Sequence, residues 1–487
     1  MRVFFLAFLG PMALISVAPF SMWSQYNGTY PVWQALRASL LMSIVVVLLI
    51  GLLTLIMRST AKGSVIVTLL ICGLLAQYIN IIVVFILMAV LGVFAIIGRA
   101  DAYKNINIAT LIMGLSLLYG AAGPAIQASL ETREIVVSND ALDSIILIEK
   151  PSIIHVVLDG YGTSDILSDI YDHDSEPFFS ALEERGFTVV RDVTVPYSQT
   201  LPSMASVFSG GVIDVASRTD AHVLRRDLGT TITHGPVATI LKDADYTIEG
   251  NRSGYGHLDH LQGGLFSPNP TALTELEGML VTTDANVFAE IHNKTLRASL
   301  EPGLFDDIKT PFFYYQHLLA PHPPFSLNAD GSSRSVTSTS YTDGNYLLSQ
   351  LPNGRADYIE GYRQKILFIE DALLRQIDSY PTGPTIVLIH GDHGPGAFLD
   401  HNSAERTCMA ERMQTFMAFY SNIPDISFTG VLDADRPVST TNAYREIFNR
   451  LSVNEHSILP AESYYLSWAS PMNAINVSLE NLESRCN

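Results

Sequence analysis

Ser152-Ile153-Ile154-His155-Val156-Val157-Leu158-Asp159-Gly160-Tyr161-Gly162 is a run of aliphatic, largely β-branched residues that stops at an acid between apolar chain and glycine. A short apolar run bounded by a turn suits a strand buried on both faces, as in a parallel sheet. Thr385-Ile386-Val387-Leu388-Ile389 repeats the pattern and runs into His390-Gly391-Asp392-His393-Gly394. Between them the composition alternates. Ser175-Glu176-Pro177 to Arg185-Gly186 carries helix start and stop signals, Phe187 to Val195 reads as a strand, and Pro236 to Ala244 as a helix. Tyr246 to Glu249 is extended, and Ile359 to Tyr380 is a long amphipathic helix. Such alternation implies an α/β domain with a mostly parallel sheet flanked by helices, whose ligands gather at the carboxyl ends of strands.

Upstream of this domain the chain changes character. Val3 to Trp23, Leu36 to Met57, Ser64 to Ile79, Ile81 to Ile97 and Ile106 to Ile126 are apolar runs of spanning type, the third and fourth being short and joined by Tyr78-Ile79-Asn80. We therefore expect a multi-span α-helical membrane domain of about five spans over 1–126, a charged linker over 127–150, and the α/β domain over 151–487. The first run is followed by more spans and lacks a cleavage site, so it reads as an anchor and not a leader. Arg2, Arg58 with Lys62, and Arg99 with Lys104 fall on one side of five spans. That side is cytoplasmic by the positive-inside rule, which puts everything after Ile126, the α/β domain included, outside. Arg37 is the one contrary charge and can snorkel. No carboxylate or histidine lies within a span, which argues against proton-coupled transport.

Up to Ala125 there are six of the 29 basic and one of the 48 acidic residues, so the remainder carries 23 against 47, a net charge of −24. A domain so acidic repels nucleic acid. It tolerates metal cations and glycan or zwitterionic substrates, and acidity is equally a route to solubility. Three cysteines exclude a disulfide scaffold: Cys72 sits in an apolar run, while Cys408 and Cys486 can pair in an oxidising compartment.

Three stretches carry chemistry. Asp159 closes a buried strand, where a carboxylate serves as a metal ligand or equally as a turn former. Tyr197-Ser198-Gln199-Thr200-Leu201-Pro202-Ser203-Met204 turns from loop into a helix of small residues. A hydroxyl there meets free N–H groups and the helix dipole, unless Thr200 is only an N-cap. Asp392-His393 supplies an oxygen and an imidazole at one strand end, a pairing that packing rarely requires. Together they suit a hydroxyl nucleophile activated by one metal ion.

These motifs, in this order and at these wide spacings, resemble the sulfatase-like branch of the alkaline phosphatase superfamily. With its membrane anchor the chain is similar to lipoteichoic acid synthases and phosphoethanolamine transferases. Tyr315-Gln316-His317-Leu318-Leu319-Ala320-Pro321-His322-Pro323-Pro324-Phe325 is similar to the stretch whose histidine contacts the substrate phosphate, and Lys242-Asp243-Ala244-Asp245-Tyr246-Thr247 matches that family's helix-to-strand turn. The resemblance implies Thr200 as nucleophile and metal ligand, Asp159, Asp392 and His393 as the other ligands, and His322 binding or protonating the transferring group. His317, His390 and His401 are lesser candidates, and Asp259 with His260 a weak second metal site. Sulfatases convert Cys or Ser in a Cys/Ser-x-Pro-x-Arg frame to formylglycine; here the frame reads Thr200-Leu201-Pro202-Ser203-Met204. Threonine cannot become that aldehyde, which favours phosphoryl over sulfuryl chemistry and Thr200 over Ser203. A single acid in Asp159-Gly160 favours one divalent ion: Mn, Zn or Mg.

Three functions compete at this level. One is a phosphotransferase moving a head group from a membrane phospholipid donor through Thr200 to an envelope glycan or lipid acceptor. The second is a phosphodiesterase or sulfuric-ester hydrolase, and the third a catalytically inactive envelope-binding module.

Overall fold

A computed structural model describes residues 2–25, 32–75, 100–130, 134–138, 140–143, 145–251, 253, 284–337, 341–432, 437–478, 481–482 and 486. The chain divides near residue 132 into two compact units.

Helices Arg2–Ile15, Val17–Gln25, Val32–Met57, Thr60–Leu75 and Ala100–Leu130 belong to the first unit. Among the described residues, three stretches are long and apolar enough to cross a membrane: Ala7–Ser24, Val32–Met57 and Asn105–Gly123. Thr60–Leu75 is apolar but shorter. The connection Tyr78-Ile79-Asn80 and the fourth expected span, Ile81 to Ile97, lie outside the described residues. The first run breaks at Ser16 because Pro19 has no N–H for the carbonyl of Ile15 and its ring crowds that oxygen. Small residues let helices cross closely: a methyl group added at Gly114 would lie 2.9 Å from Ala13 Cβ, and one at Gly10 3.0 Å from Thr110 Cγ2. Leu55 and Ile56 are 79% and 69% exposed, as side chains solvated by hydrocarbon would be.

In the second unit β1 (Ser152–Leu158), β2 (Thr188–Thr194), β3 (Thr247–Gly250), β4 (Phe312–Leu318), β5 (Thr385–Gly391), β6 (Gln414–Ser421) and β7 (Val438–Ser439) form one sheet. Their order is β3-β4-β1-β5-β6-β2-β7. β6 runs antiparallel to β5 and β2, and every other neighbouring pair is parallel. The mostly parallel sheet expected from the alternation is therefore present. Both faces are covered, as its apolar strands require. Ile153 and Val157 of β1 pack in a core that includes Phe208 and Tyr444, whereas Ile154, Val156 and Leu158 pack with Phe179, Tyr362 and Ile369. The helix Thr200–Ser209 thus lies on one face and Arg355–Ile377 on the other. β8 (Tyr464–Leu466) and β9 (Ala474–Asn476) make a separate antiparallel pair.

The stretch expected as a linker, 127–150, is divided in two. Its start continues the helix to Leu130, and Val136, Leu142, Ile145 and Leu147 are buried in the core of the second unit. Cys408 and Cys486 form a disulfide across 78 residues, with Cα atoms 5.3 Å apart. Closing a loop of that length restricts the unfolded chain by about 4 kcal/mol on a chain-entropy account. Alkylation of the denatured but unreduced chain should label one cysteine, Cys72, and after reduction three; three labels without reductant would remove the bridge from the account.

Candidate metal centre and nucleophile

Strand register sets the site. Leu158 of β1 pairs with Leu318 of β4 on one side and with Gly391 of β5 on the other. Three parallel strands therefore end level, and the residues that follow them emerge at one edge of the sheet. Asp159, Asp392 and His393 are all buried there, with a ligand atom from each within 4.8 Å of the others. His393 Nε2 lies 3.3 Å from Asp392 Oδ2 and 3.7 Å from Asp159 Oδ1.

Each ligand is held by its other atoms. Asp159 Oδ2 accepts from His317 Nε2 at 3.0 Å, and His317 Nδ1 in turn accepts from the Tyr315 hydroxyl at 2.9 Å. Asp392 Oδ1 accepts the amides of Gly160 at 3.1 Å and His393 at 3.0 Å. His393 Nδ1 donates to Gly394 O at 3.0 Å, so its lone pair is on Nε2, facing the carboxylates. Asp159 Oδ1 and Asp392 Oδ2 are buried and take no hydrogen bond from any described residue. Orphaned carboxylate oxygens are costly in a protein interior unless a cation lies between them. Two hard oxygens and one imidazole nitrogen fit a divalent ion such as Mn, Zn or Mg.

The electrostatics agree. Burial alone would raise the Asp159 carboxyl pKa, but His322, the bond from His317 and the nearby His393 outweigh it and hold the group well below the usual carboxylate range. Burial, reinforced by the Arg412 charge, lowers the His393 imidazole, which keeps it neutral and able to ligate.

Thr200 is the first residue of the helix Thr200–Ser209, and Gln199 holds the N-cap position without a side-chain cap. The Gln199 amide group instead donates to Leu466 O at 2.8 Å. The Thr200 hydroxyl is not a cap either: it lies 3.0 Å from His393 Nε2. Ser203 is turned elsewhere, donating to Asp392 O at 2.7 Å.

His322 sits in the loop after β4. Its amide donates to Asp159 O at 2.9 Å, its Nδ1 donates to Pro323 O at 2.8 Å, and its Nε2 lies 3.9 Å from Asp343 Oδ2. The loop is pinned by Lys365, whose buried ammonium donates to Leu319 O, His322 O and Pro324 O at 2.7, 2.6 and 3.1 Å. Burial brings the Lys365 pKa down to about 7.

The lesser histidines are distributed differently. His317 supports Asp159. His390 is engaged in a buried chain, with Nδ1 on Gly391 O at 2.7 Å and Nε2 on His155 Nε2 at 2.8 Å, and is not in the cluster. Burial brings its pKa down to about 4. His401 Nε2 donates to Asp343 O at 3.2 Å, and its ring stacks on Trp468 at 3.9 Å between centroids. Asp259 and His260 lie outside the described residues. Sequence reasoning missed Asp343 and Arg412, which form a buried ion pair of 2.8 Å beside the cluster. Asp343 precedes a glycine like any turn acid, and Arg412 ends a four-residue helix, so neither carries a local signal.

No protein-family model matches the sequence, and no curated protein matches it. Among solved structures, the C-terminal periplasmic domain of EptC from Escherichia coli aligns at 12% identity and TM-score 0.43, over 70% of this chain and 98% of that one. The integral membrane lipooligosaccharide phosphoethanolamine transferase A from Neisseria meningitidis aligns at 11% and 0.41, over 91% and 83%. A putative sulfatase from Bacteroides thetaiotaomicron aligns at 13% and 0.37, over 66% and 78%. At these scores the likenesses carry no argument about what the chain does.

A lowered histidine pKa means that protons compete weakly for Nε2. Metal affinity, measured by calorimetry on the full chain, should stay level from alkaline pH to below 6.5, the ordinary histidine value, and fall only in more acid solution. Asp392→Asn and His393→Ala should each lose the metal while keeping a cooperative melting transition. An affinity that already declines as pH falls through 7 would mean that the imidazole is not held below its ordinary value, and a His393→Ala chain that keeps the metal would take His393 out of the ligand set.

Proposed function

We propose that the chain is a membrane-anchored, metal-dependent phosphotransferase of the cell envelope, with its α/β unit on the extracytoplasmic side of the cytoplasmic membrane. Its donor on this reading is a membrane phospholipid, its acceptor an envelope lipid or glycan, and its intermediate a phosphorylated Thr200. One observation carries the reading. The Thr200 hydroxyl, at a helix N-terminus, lies 3.0 Å from the same His393 nitrogen that two orphaned carboxylate oxygens surround. A hydroxyl merely capping a helix has no reason to face the lone pair of a ligand histidine. Apolar helices of spanning length and the disulfide support an anchored enzyme in an oxidising compartment.

On this reading Asp159, Asp392, His393 and Thr200 hold the ion. A divalent cation there would lower the pKa of the hydroxyl and offset negative charge on the phosphoryl group. Thr200 Oγ1, its proton released to solvent, attacks phosphorus; an Oγ–P bond forms as the P–O bond to the donor alcohol breaks. His322, with Nδ1–H tied to Pro323 O, presents Nε2 to give that alkoxide a proton. In the second half the acceptor hydroxyl attacks phosphorus, His322 Nε2 takes the acceptor's proton, and Thr200 Oγ1 leaves. The free amides of the first helical turn favour the anionic group. Asp159, held well below the usual carboxylate range, stays ionised throughout.

Losing a nucleophile costs orders of magnitude in rate, whereas losing a cap costs about 1 kcal/mol of stability. Thr200→Ala should therefore abolish phosphodiester turnover and the mass adduct on the tryptic peptide after incubation with bilayer lipids, with little change in melting temperature. Thr200→Ser should keep part of both. A Thr200→Ala protein that still turns over would end this reading.

A further inference from the structure

Arg412 ends the helix Met409–Arg412 just ahead of β6, and its side chain is 3% exposed. One edge of the guanidinium is fully engaged by the fold. Nε donates to Ser198 O at 2.8 Å, and Nη1 donates to Asp343 Oδ2 at 2.8 Å and Gly394 O at 3.0 Å, with Pro395 O at 3.4 Å. Asp343 is itself fixed, accepting from the Tyr358 hydroxyl at 2.6 Å. Burial would raise the Asp343 carboxyl pKa, but the Arg412 and His322 charges hold it well below the carboxylate range. The pair is therefore ionised and braced.

The remaining nitrogen, Nη2, has two N–H groups and reaches His393 Nε2 at 3.1 Å, the only partner it has among the described residues. That atom has a single lone pair, which the Thr200 hydroxyl approaches at 3.0 Å as well. Two donors thus converge on the lone pair that a cation between Asp159 and Asp392 would take. Once it is taken, Thr200 can offer its oxygen to the cation, but Nη2 can only donate. A buried guanidinium end without an acceptor is strongly disfavoured, and an oxygen of an anionic substrate would supply one.

We infer that Arg412 is a catalytic residue: its Nη2, 3.1 Å from the ligand nitrogen of His393, donates to a non-bridging oxygen of the phosphoryl group on Thr200. The inference rests on the phosphotransferase reading. It assigns Arg412 a hold on the anion and no part in holding the metal. A purely structural arginine, bracing Ser198, Asp343 and Gly394, would not touch the anion.

The test is calorimetry on the full chain in detergent, first stripped of metal and titrated with manganese alone, then manganese-loaded and titrated with inorganic phosphate. Arg412→Met should bind manganese at least as tightly as the unmodified chain and phosphate about tenfold more weakly or worse. Arg412→Lys keeps the charge without the fork and should fall between the two for phosphate. Phosphate affinity in Arg412→Met within roughly threefold of the unmodified chain overturns the inference while leaving the phosphotransferase reading intact. Weakened manganese binding with an unchanged melting transition does so too, since Arg412 would then be part of the metal site's scaffold. Should Arg412→Met lose its melting transition, Arg412→Lys decides alone: unchanged phosphate affinity overturns the inference, and weaker phosphate with intact manganese binding supports it. An unmodified chain that binds none of manganese, zinc and magnesium removes the phosphotransferase reading and the inference together.

Discussion

The site depends on a register. Leu158 is level with Leu318 on one neighbour and with Gly391 on the other, and the next residues along those strands include Asp159, Asp392 and His393. A slip of one residue in either pairing would shift a ligand by about 3.3 Å and turn its side chain to the opposite face. The cluster, whose ligand atoms lie within 4.8 Å of one another, would not survive it. What fixes the register is the packing of both faces of the sheet. Alternate residues of β1 enter two different cores, so a slip would exchange their contents.

Around this edge, atoms that do not point at the centre have partners. His317 takes one oxygen of Asp159, two amides take one oxygen of Asp392, and Gly394 O takes one nitrogen of His393. Lys365 gathers three carbonyls of the loop carrying His322, and that loop returns an amide to Asp159 O. Hydrogen bonds here do little for stability individually, but together they leave each ligand one atom turned to the centre and one orientation. Preorganisation of this kind spares the protein from rearranging as charge develops.

Much of this was legible in the chain. β1 and β5 announce themselves because parallel strands buried on both faces need unbroken aliphatic runs, and the acids at their ends stand out against glycine. β4 is harder to read: Phe312–Leu318 contains Gln316 and His317, polar residues that interrupt the run and are paid for by partners elsewhere in the chain. Gln316 Nε2, for one, donates to Gln376 Oε1 at 3.1 Å. The roles of Arg412 and Lys365 are illegible for a related reason. Arg412 finds Asp343 across 69 residues, and Lys365 finds its carbonyls across 41 to 46. A single sequence shows which residue types are present but not which distant ones meet. Thr200 is intermediate, since its helix is evident while the direction of its hydroxyl is a tertiary fact.

The disulfide has a consequence beyond stability. Cys408 is the N-cap of the four-residue helix that ends at Arg412, so the bridge to Cys486 tethers the segment that delivers the guanidinium. In a reducing compartment the two thiols stay apart and that segment loses its tether. Oxidation therefore bears on the arginine's support as well as on the fold.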